Sequence, residues 1–302
     1  MDQAEGLRSL LKNTSGQTDP SVPQINGQEE ATRNWPKVIS VSSGKGGVGK
    51  TNVTANLGLA FTQLGKQVLL LDADLGLANI DVLLGITSPY SIEHLFKGEK
   101  KFSEILVKGP GGMSILPASS GVLELVDLKE TQKIFLLNEL DHLPMDIDIL
   151  LIDTGAGISA NVLYFNMAAA ESIIIATPEP TSITDAYALI KVLSMKFRKK
   201  SFMILVNLAS GAQEAKEVFK KLNRAVDQFL GSLSLDYLGF IPLDESIPKA
   251  VRLQKAVLEI YPHSLFSKRI MELAKTISER PVQRSGNGNV QFFWKQLLQC
   301  QA

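Results

Sequence analysis

The chain has 302 residues, of which 45% are hydrophobic and 21% are charged, so it can bury the core of one large α/β domain or of two small ones. Its 31 basic residues balance 31 acidic ones, and this zero net charge argues against a protein that coats nucleic acid through bulk charge. The single cysteine, Cys300, excludes a disulfide framework, an all-cysteine zinc site and an iron–sulfur cluster held within one chain. No apolar run is long enough to span a bilayer and the N-terminus lacks the apolar core of a signal peptide, so we expect a cytoplasmic protein.

The first 36 residues divide into a short amphipathic peptide and a linker. Within residues 1–12, a helix would place Leu7, Leu10 and Leu11 on one side, although a helix this short is marginal alone in water. The peptide is therefore either waiting for a partner or a frayed terminus. Residues 13–36 are rich in Gln, Asn, Ser, Thr, Gly and Pro, and this composition predicts a flexible linker.

Residues 37–280 alternate between short, strongly apolar runs and segments of helical length. This alternation predicts a single doubly wound α/β domain with a mostly parallel sheet of about seven or eight strands and helices on both faces. The predicted strands are 38–43, 67–72, 113–118, 148–153, 172–177, 202–207 and 237–242. The predicted helices include 50–64, 161–170, 181–197, 213–230 and 265–279.

The C-terminal residues 281–302 begin with a Gly/Pro/Ser/Asn linker and end in an amphipathic segment. On a helical wheel its apolar stripe spans about 140°. An aromatic-rich helix behind a linker can lie in a membrane interface, but a last helix docking on the core fits the periodicity equally well. The stripe consists of Val290, Phe293, Trp294, Leu297 and Leu298.

The strongest motif follows the first predicted strand and opens the first predicted helix. The sequence SGKGGVGKT at 43–51 matches G-x-x-x-x-G-K-[ST], in which backbone N–H groups surround phosphate oxygens at a helix N-terminus. We expect Lys50 to reach the β- and γ-phosphates and the Thr51 hydroxyl to bind Mg²⁺. A glycine-rich connecting turn would explain the glycines but not Lys50 and Thr51. The predicted ATP-binding residues here are Gly44, Lys45, Gly46, Gly47, Val48, Gly49, Lys50, Thr51 and Asn52.

Three aspartates follow predicted strands at the edge where α/β sheets bind ligands. Asp72 and Asp74 end the second strand, and Asp153 ends the apolar run DILLID as a Walker B aspartate does. Aspartates often cap strand ends for structural reasons. Three of them beside a phosphate-binding loop favour a role in holding Mg²⁺ and water, with Thr51, Asp72 and Asp153 as metal-binding candidates.

With its additional Lys45, the loop resembles that of the deviant P-loop ATPases of the MinD/ParA class. In that class the corresponding lysine reaches the nucleotide of the other subunit, like an arginine finger supplied in trans. The resemblance implies an ATP-bound homodimer and an ADP-bound or nucleotide-free monomer. It also implies that Asp74 orients or activates the attacking water and that Asp72 supports the switch I segment and the metal. By the same resemblance, Asn207 recognises the adenine base. Lys45, Lys50 and Asp74 are thus the predicted catalytic residues.

Within this class the chain is similar to the flagellar-number regulators of the FlhG/FleN family. The similarity rests on LDADLGLANIDVLLG (71–85), DTGAGIS (153–159), PEPTSITDAYALIK (178–191) and IPLDESIPKAV (241–251), with glycine at position 155 where MinD relatives usually carry proline. It implies an ATPase that controls flagellar number and placement at the membrane, at a cell pole. A partitioning or division-site ATPase is the alternative.

The resemblance also assigns partners to both termini. The opening D-Q-A-x-x-L-R is similar to the peptide with which the family stimulates the GTPase FlhF, and a FleQ-type transcription activator is a further implied partner. The C-terminal stripe becomes a membrane-targeting helix. The FlhF-binding residues are Asp2, Gln3, Ala4, Leu7 and Arg8.

A basic run ends the helix predicted at 181–197. Such runs are mostly solvated faces that complement the helix dipole, although contact with anionic lipid or DNA is an alternative. We expect direct DNA binding to be absent. The run comprises Lys196, Arg198, Lys199 and Lys200.

Overall fold

The computed structural model describes residues 36–74, 79–118, 130–141, 146–231 and 233–281. The predicted partner peptide at 1–12, nearly all of the predicted linker and the C-terminal amphipathic segment lie outside the described residues. Those predictions therefore stay predictions.

Eight strands form one sheet in the order β3-β4-β2-β5-β1-β6-β7-β8. Every described pairing is parallel except that of β3 with β4, which is antiparallel. The strands are β1 (Lys37–Ser43), β2 (Val68–Ala73), β3 (Val107–Lys108), β4 (Ser114–Leu116), β5 (Ile149–Ala156), β6 (Glu171–Ala176), β7 (Ser201–Ala209) and β8 (Ser234–Pro242).

The helices connect these strands and cover the sheet. They are α1 (Lys50–Gln63), α2 (Ile80–Leu84), α3 (Ile92–Phe96), α4 (Phe102–Ile105), α5 (Glu130–Asp141), α6 (Ala160–Ala168), α7 (Pro180–Phe197), α8 (Ala212–Leu230), α9 (Ser246–Arg252), α10 (Val257–Ile260) and α11 (Leu265–Glu279), with a 3₁₀ turn at Pro110–Gly112. Across the described ranges, no helix has both the length and the apolar character needed to cross a bilayer.

Successive side chains of each central strand enter different cores, because strand residues alternate between the two faces of a sheet. In β6, Ile173 and Ile175 pack on the face covered by α1 and α11, whereas Ile174 and Ala176 pack on the opposite face beneath α7 and α8. A second cluster on that opposite face lies under α3 to α6. Burial of both faces explains why the strands are nearly continuous apolar runs.

The predicted fold class is confirmed, and all seven predicted strands correspond to observed ones. The sequence analysis did not identify β3, which has only two residues, nor the helices α2, α3, α4, α5, α9 and α10. Most of these helices have five residues or fewer. Such short helices are stabilised by packing more than by their own periodicity, so a periodicity pattern predicts them poorly.

Candidate nucleotide-binding site

The predicted phosphate-binding loop joins the carboxyl end of β1, at the centre of the sheet, to the N-terminus of α1. Gly47 (φ 79°) and Gly49 (φ 82°) have left-handed backbone conformations, which glycine adopts at little cost. The first N–H groups of α1 have no partner within the helix and can face an anion at its N-terminus. The loop has the geometry that phosphate binding requires.

Gly44 lies where α7 packs directly against the loop. A Cβ atom on Gly44 would lie 2.1 Å from the backbone carbonyl carbon of Asp185 and 2.6 Å from the amide nitrogen of Ala186. Neither neighbour is a flexible side-chain end, so the contact allows no side chain at position 44. This close approach fixes the distance between the loop and α7.

We expect Gly44→Ala to destabilise the nucleotide-free protein by about 2 kcal/mol or more, because the new methyl group would overlap the backbone of α7. Urea unfolding followed by circular dichroism measures this effect. The matched control is Gly46→Ala, since a Cβ at Gly46 meets nothing within 4 Å. Equal stability of the two variants would contradict the close packing of loop and helix.

Lys50 and Asp153 form a buried ion pair below the loop. The Lys50 Nζ lies 3.0 Å from Asp153 Oδ1, and the two side chains are only 8% and 1% exposed. The hydroxyl of Thr54, one turn further along α1, donates to the same carboxylate oxygen at 2.9 Å and is the partner that the sequence analysis missed. The structure thus brings the predicted phosphate-binding lysine and the predicted Walker B aspartate into direct contact.

Asp72 anchors the backbone on both sides of a loop. Its Oδ1 accepts the N–H of Asp74 at 3.1 Å, and its Oδ2 accepts the N–H groups of Asn79 and Ile80 at 3.1 and 3.2 Å. Burial raises the pKa of Asp72 to about 7, and the nearby charge of Asp153 adds to that rise. A positive charge at this site, such as a cation, would favour the ionised carboxylate.

Asp74 is half-buried beside the end of β5. A Cβ on Gly155 would lie 3.5 Å from Asp74 Oδ1, an ordinary contact distance, so glycine at 155 is not needed for space. Burial raises the pKa of Asp74, Lys50 opposes the rise and Asp153 adds to it. A carboxylate with a raised pKa near phosphate-binding groups is suited to accepting a proton from water.

Lys45 has a different environment from Lys50. Its Nζ lies 2.5 Å from Glu179 Oε2 and 3.2 Å from the Thr181 hydroxyl, and its side chain is 39% exposed. Both partners belong to the start of α7, and sequence reasoning missed them although the motif PEPTSITDAY contains them. The Lys45 side chain therefore extends away from the phosphate-binding loop, towards the start of α7.

Asn207, near the carboxyl end of β7, packs against the loop from the other side. Its Nδ2 donates to the carbonyl of Val48 at 2.7 Å, and a Cβ on Gly49 would lie 2.5 Å from the same nitrogen. Asn207 is 2% exposed, yet within the described parts of the chain its Oδ1 has no hydrogen-bond partner. A buried amide oxygen without a partner is the kind of acceptor that a ligand's N–H group can satisfy.

The donor set fits Mg²⁺ bound together with a nucleotide. Thr51 is half-buried in the first turn of α1, and the buried residues Asp72 and Asp153 pair with each other towards the carboxyl ends of β2 and β5. The described residues include no cluster of three or more His, Cys, Asp or Glu side chains able to hold a metal alone. Mg²⁺ commonly takes one or two protein oxygens and completes its shell with water and phosphate. Asn52, in the same turn, is half-buried and its carbonyl accepts the Asn56 amide at 2.8 Å.

A hydroxyl network supports the site from within the sheet, and the sequence analysis did not find it. The hydroxyls of Ser42 and Thr154 lie 2.8 Å apart, and the Asn166 amide donates to Ser42 at 2.7 Å. Small polar residues inside the apolar strand runs were the available signal. The network ties the neighbouring strands β1 and β5 to α6.

Comparison with known proteins agrees with this geometry. A family model described as ParA, NUBPL iron-transfer P-loop NTPase, matches residues 34–278. The chain is 43% identical over 263 residues to the antiactivator FleN of Pseudomonas aeruginosa, covering 87% of this chain and 94% of that protein. It is 36% identical over 240 residues to the flagellum site-determining protein YlxH of Helicobacter pylori, covering 79% and 80%. The structure of the septum site-determining protein MinD from Pyrococcus horikoshii, complexed with Mg-ADP, superposes with a TM-score of 0.66 at 24% identity, covering 81% of this chain and 96% of that one.

Proposed function

The chain belongs to the ParA/MinD family of P-loop ATPases, in the branch of the flagellar regulators FleN and YlxH, and we propose that it is an ATP-dependent dimerisation and membrane-association switch. ATP would hold two subunits together, and hydrolysis to ADP would release them. The output we propose is control of flagellar number and placement at the cytoplasmic face of the membrane, at a cell pole.

The observation that carries the proposal is the separation of the two loop lysines. Lys50 lies buried within the loop at Asp153, whereas Lys45 lies outside it on Glu179. A nucleotide in the same subunit therefore meets Lys50 and not Lys45. An exposed lysine beside the nucleotide site is placed to contact the nucleotide of a second subunit, which supports the dimer.

The residues of one subunit supply the remaining parts of the hydrolytic site. Lys50 would transfer its contact from Asp153 to the phosphates, while Thr51, Asp72 and Asp153 would hold Mg²⁺. The metal would neutralise charge on the phosphates. Asp74 would orient the attacking water and accept its proton. Because Asp72 also accepts backbone N–H groups on both sides of the adjoining loop, binding or loss of the metal would change the hydrogen bonds that hold that backbone.

Asn207 is expected to select adenine. The free Oδ1 would accept the exocyclic amino group of adenine, which guanine lacks at the same ring position. We expect Asn207→Ala to weaken ATP binding about tenfold relative to GTP binding, because one buried hydrogen bond is lost for adenine alone. Calorimetric titration with both nucleotides gives the ratio, which general loosening of the site would leave unchanged. An unaltered ATP-to-GTP ratio would remove Asn207 from base recognition.

The terminal segments would connect the switch to its partners. We propose that residues 1–12 stimulate the GTPase FlhF through Asp2, Gln3, Ala4, Leu7 and Arg8, and that a FleQ-type activator is a further partner. These proposals rest on the sequence motif and on the family membership. A partitioning or division-site ATPase remains the alternative class, with DNA or division proteins as partners, and the FleN and YlxH relatives favour the flagellar assignment.

Vesicle co-sedimentation tests the membrane part of the proposal. The full chain should sediment with phospholipid vesicles in ATP and Mg²⁺ and remain in the supernatant in ADP, because a dimer presents two apolar helices and gains avidity. A chain ending at Pro281 is the control and should stay in the supernatant with either nucleotide. Equal vesicle binding in ATP and in ADP would contradict the switch.

A further inference from the structure

The C-terminal segment leaves the domain at the amino edge of the sheet, opposite the nucleotide site. Lys37 starts β1, and its buried Nζ donates to the carbonyls of Ile277 at 2.8 Å and Arg280 at 2.7 Å. Ile277 lies in the last turn of α11 and Arg280 directly follows the helix, so the lysine caps its C-terminal end. The described chain ends one residue later, at Pro281. The point at which residues 282–302 are attached therefore lies beside the Lys37 side chain.

A continuous set of contacts runs along this edge from β1 to β7. Glu171, the first residue of β6, lies 3.6 Å from the Lys37 Nζ. Lys199, just before β7, donates to the carbonyls of Asn166 at 2.7 Å and Ala169 at 2.8 Å, where α6 ends. Burial lowers the pKa of Lys199 to about 7, and Glu171 partly opposes that shift. Interpreting Lys199 as part of a solvated face was therefore wrong, because its ammonium group caps the C-terminal end of α6 and its side chain is partly buried.

The basic residues that flank Lys199 in sequence are exposed, and exposed apolar side chains lie at the ends of the two helices on this side of the sheet. Met195, near the end of α7, is 69% exposed, and Phe229, near the end of α8, is 66% exposed. The N–H of Ser234, the first residue of β8, donates to the carbonyl of Lys200 at 2.8 Å. Within the described residues, none of the three exposed basic side chains forms an ion pair. We call this set the amino-edge surface: Met195, Lys196, Arg198, Lys200 and Phe229.

We infer that the amino-edge surface is a second membrane-contact site, on the folded domain, which binds anionic lipid headgroups beside the C-terminal helix. The inference rests on the membrane association proposed above and adds the lipid charge that the switch prefers. Basic side chains bind anionic headgroups while exposed Met and Phe side chains enter the apolar boundary of the same interface. A DNA backbone would leave those two apolar groups without a suitable environment, so the surface fits a bilayer better.

The location of the surface explains how it would work with the tail. A single amphipathic helix binds a bilayer weakly, and a charged surface near its point of attachment would add affinity without any further ordering of the tail. Two acidic side chains of this edge are already paired, Glu171 with Lys37 and Asp236 with Arg280.

The test is vesicle co-sedimentation of the full chain in ATP and Mg²⁺ with two vesicle compositions, pure phosphatidylcholine and phosphatidylcholine containing phosphatidylglycerol. The variant carries Lys196→Ala, Arg198→Ala and Lys200→Ala together. At low salt we expect its affinity for the anionic vesicles to fall about fivefold for each charge removed. Its affinity for phosphatidylcholine should not change, and added salt should reduce the difference between variant and wild type.

The matched control carries Lys216→Ala, Lys220→Ala and Lys221→Ala, which remove the same charge from exposed positions in the first ten residues of α8. Equal losses in the two variants, or no loss in the amino-edge variant, would overturn the inference. Loss of binding to a DNA duplex in place of vesicles would overturn it in favour of a nucleic-acid surface. A wild-type chain that binds neither vesicle would refute both the surface and the proposed membrane association. An amino-edge variant that binds the anionic vesicles as tightly as the wild type would refute only the surface, since the tail would then account for the binding.

Discussion

Replacing Lys45 by alanine is expected to lower ATP turnover about 10³-fold, the smaller end of the effect known for a positive group that contacts a transferring phosphate from another subunit. Lys45 lies on Glu179 and Thr181, outside the loop that Lys50 fills, so its loss should leave ATP binding by the subunit nearly unchanged. Phosphate release measured at saturating ATP, beside calorimetric ATP binding, separates the two effects.

Mixing Lys45→Ala with Asp74→Ala protein shows in which subunit Lys45 acts. In a mixed dimer, the subunit that lacks its own Lys45 retains Asp74 and receives Lys45 from its partner. Random pairing would then restore about a quarter of the wild-type sites. Each variant assayed alone is the control. A mixture as inactive as its components would place Lys45 and Asp74 at the same subunit's nucleotide and contradict action in trans.

Replacing Asp74 by alanine is expected to lower turnover by about 10²–10⁴-fold, the usual contribution of a positioned general base. Burial raises the pKa of Asp74 and suits it to this role, while Asp153 retains its contacts with Lys50 and Thr54. Because the phosphate-binding loop is unaltered, ATP binding should persist. Phosphate release under single-turnover conditions measures the chemical step directly.

Asp74→Asn is the matched control, since it keeps the shape of the side chain and removes only its basicity. We expect it to be as slow as Asp74→Ala. A fast Asp74→Asn variant would assign Asp74 a positioning role, and a fast Asp74→Ala variant would exclude Asp74 from the reaction.

The central part of the fold and most of the site could be predicted from sequence because their determinants are local. The strand before the loop, the glycine and lysine spacing and the helix after it lie within residues 38–64. Helix α11 was predicted with the bounds that the structure has, because one side of the helix is apolar and packs on the core while the other side is polar and exposed. Asp72 and Asp153 could be placed together because the carboxyl ends of parallel strands share one edge, and these two residues pair across β2 and β5.

The features that sequence reasoning missed depend on contacts between distant segments. The contact of Lys45 with Glu179 joins residues 134 positions apart, and the close approach of Gly44 to Asp185 depends on how α7 packs. In the sequence, Lys199 is indistinguishable from the other charges of a basic run. Only the tertiary structure shows that its ammonium group caps α6. Hydrophobic patterns place elements, but they do not show which polar side chains meet across them.

The solution mass of Asp74→Ala tests the central claim most directly. The variant is expected to bind ATP without hydrolysing it, and so to accumulate in the ATP-bound state. Multi-angle light scattering should then give twice the monomer mass of 32.9 kDa with ATP and Mg²⁺, and the monomer mass with ADP. A variant that binds ATP and remains a monomer would contradict the dimerisation switch.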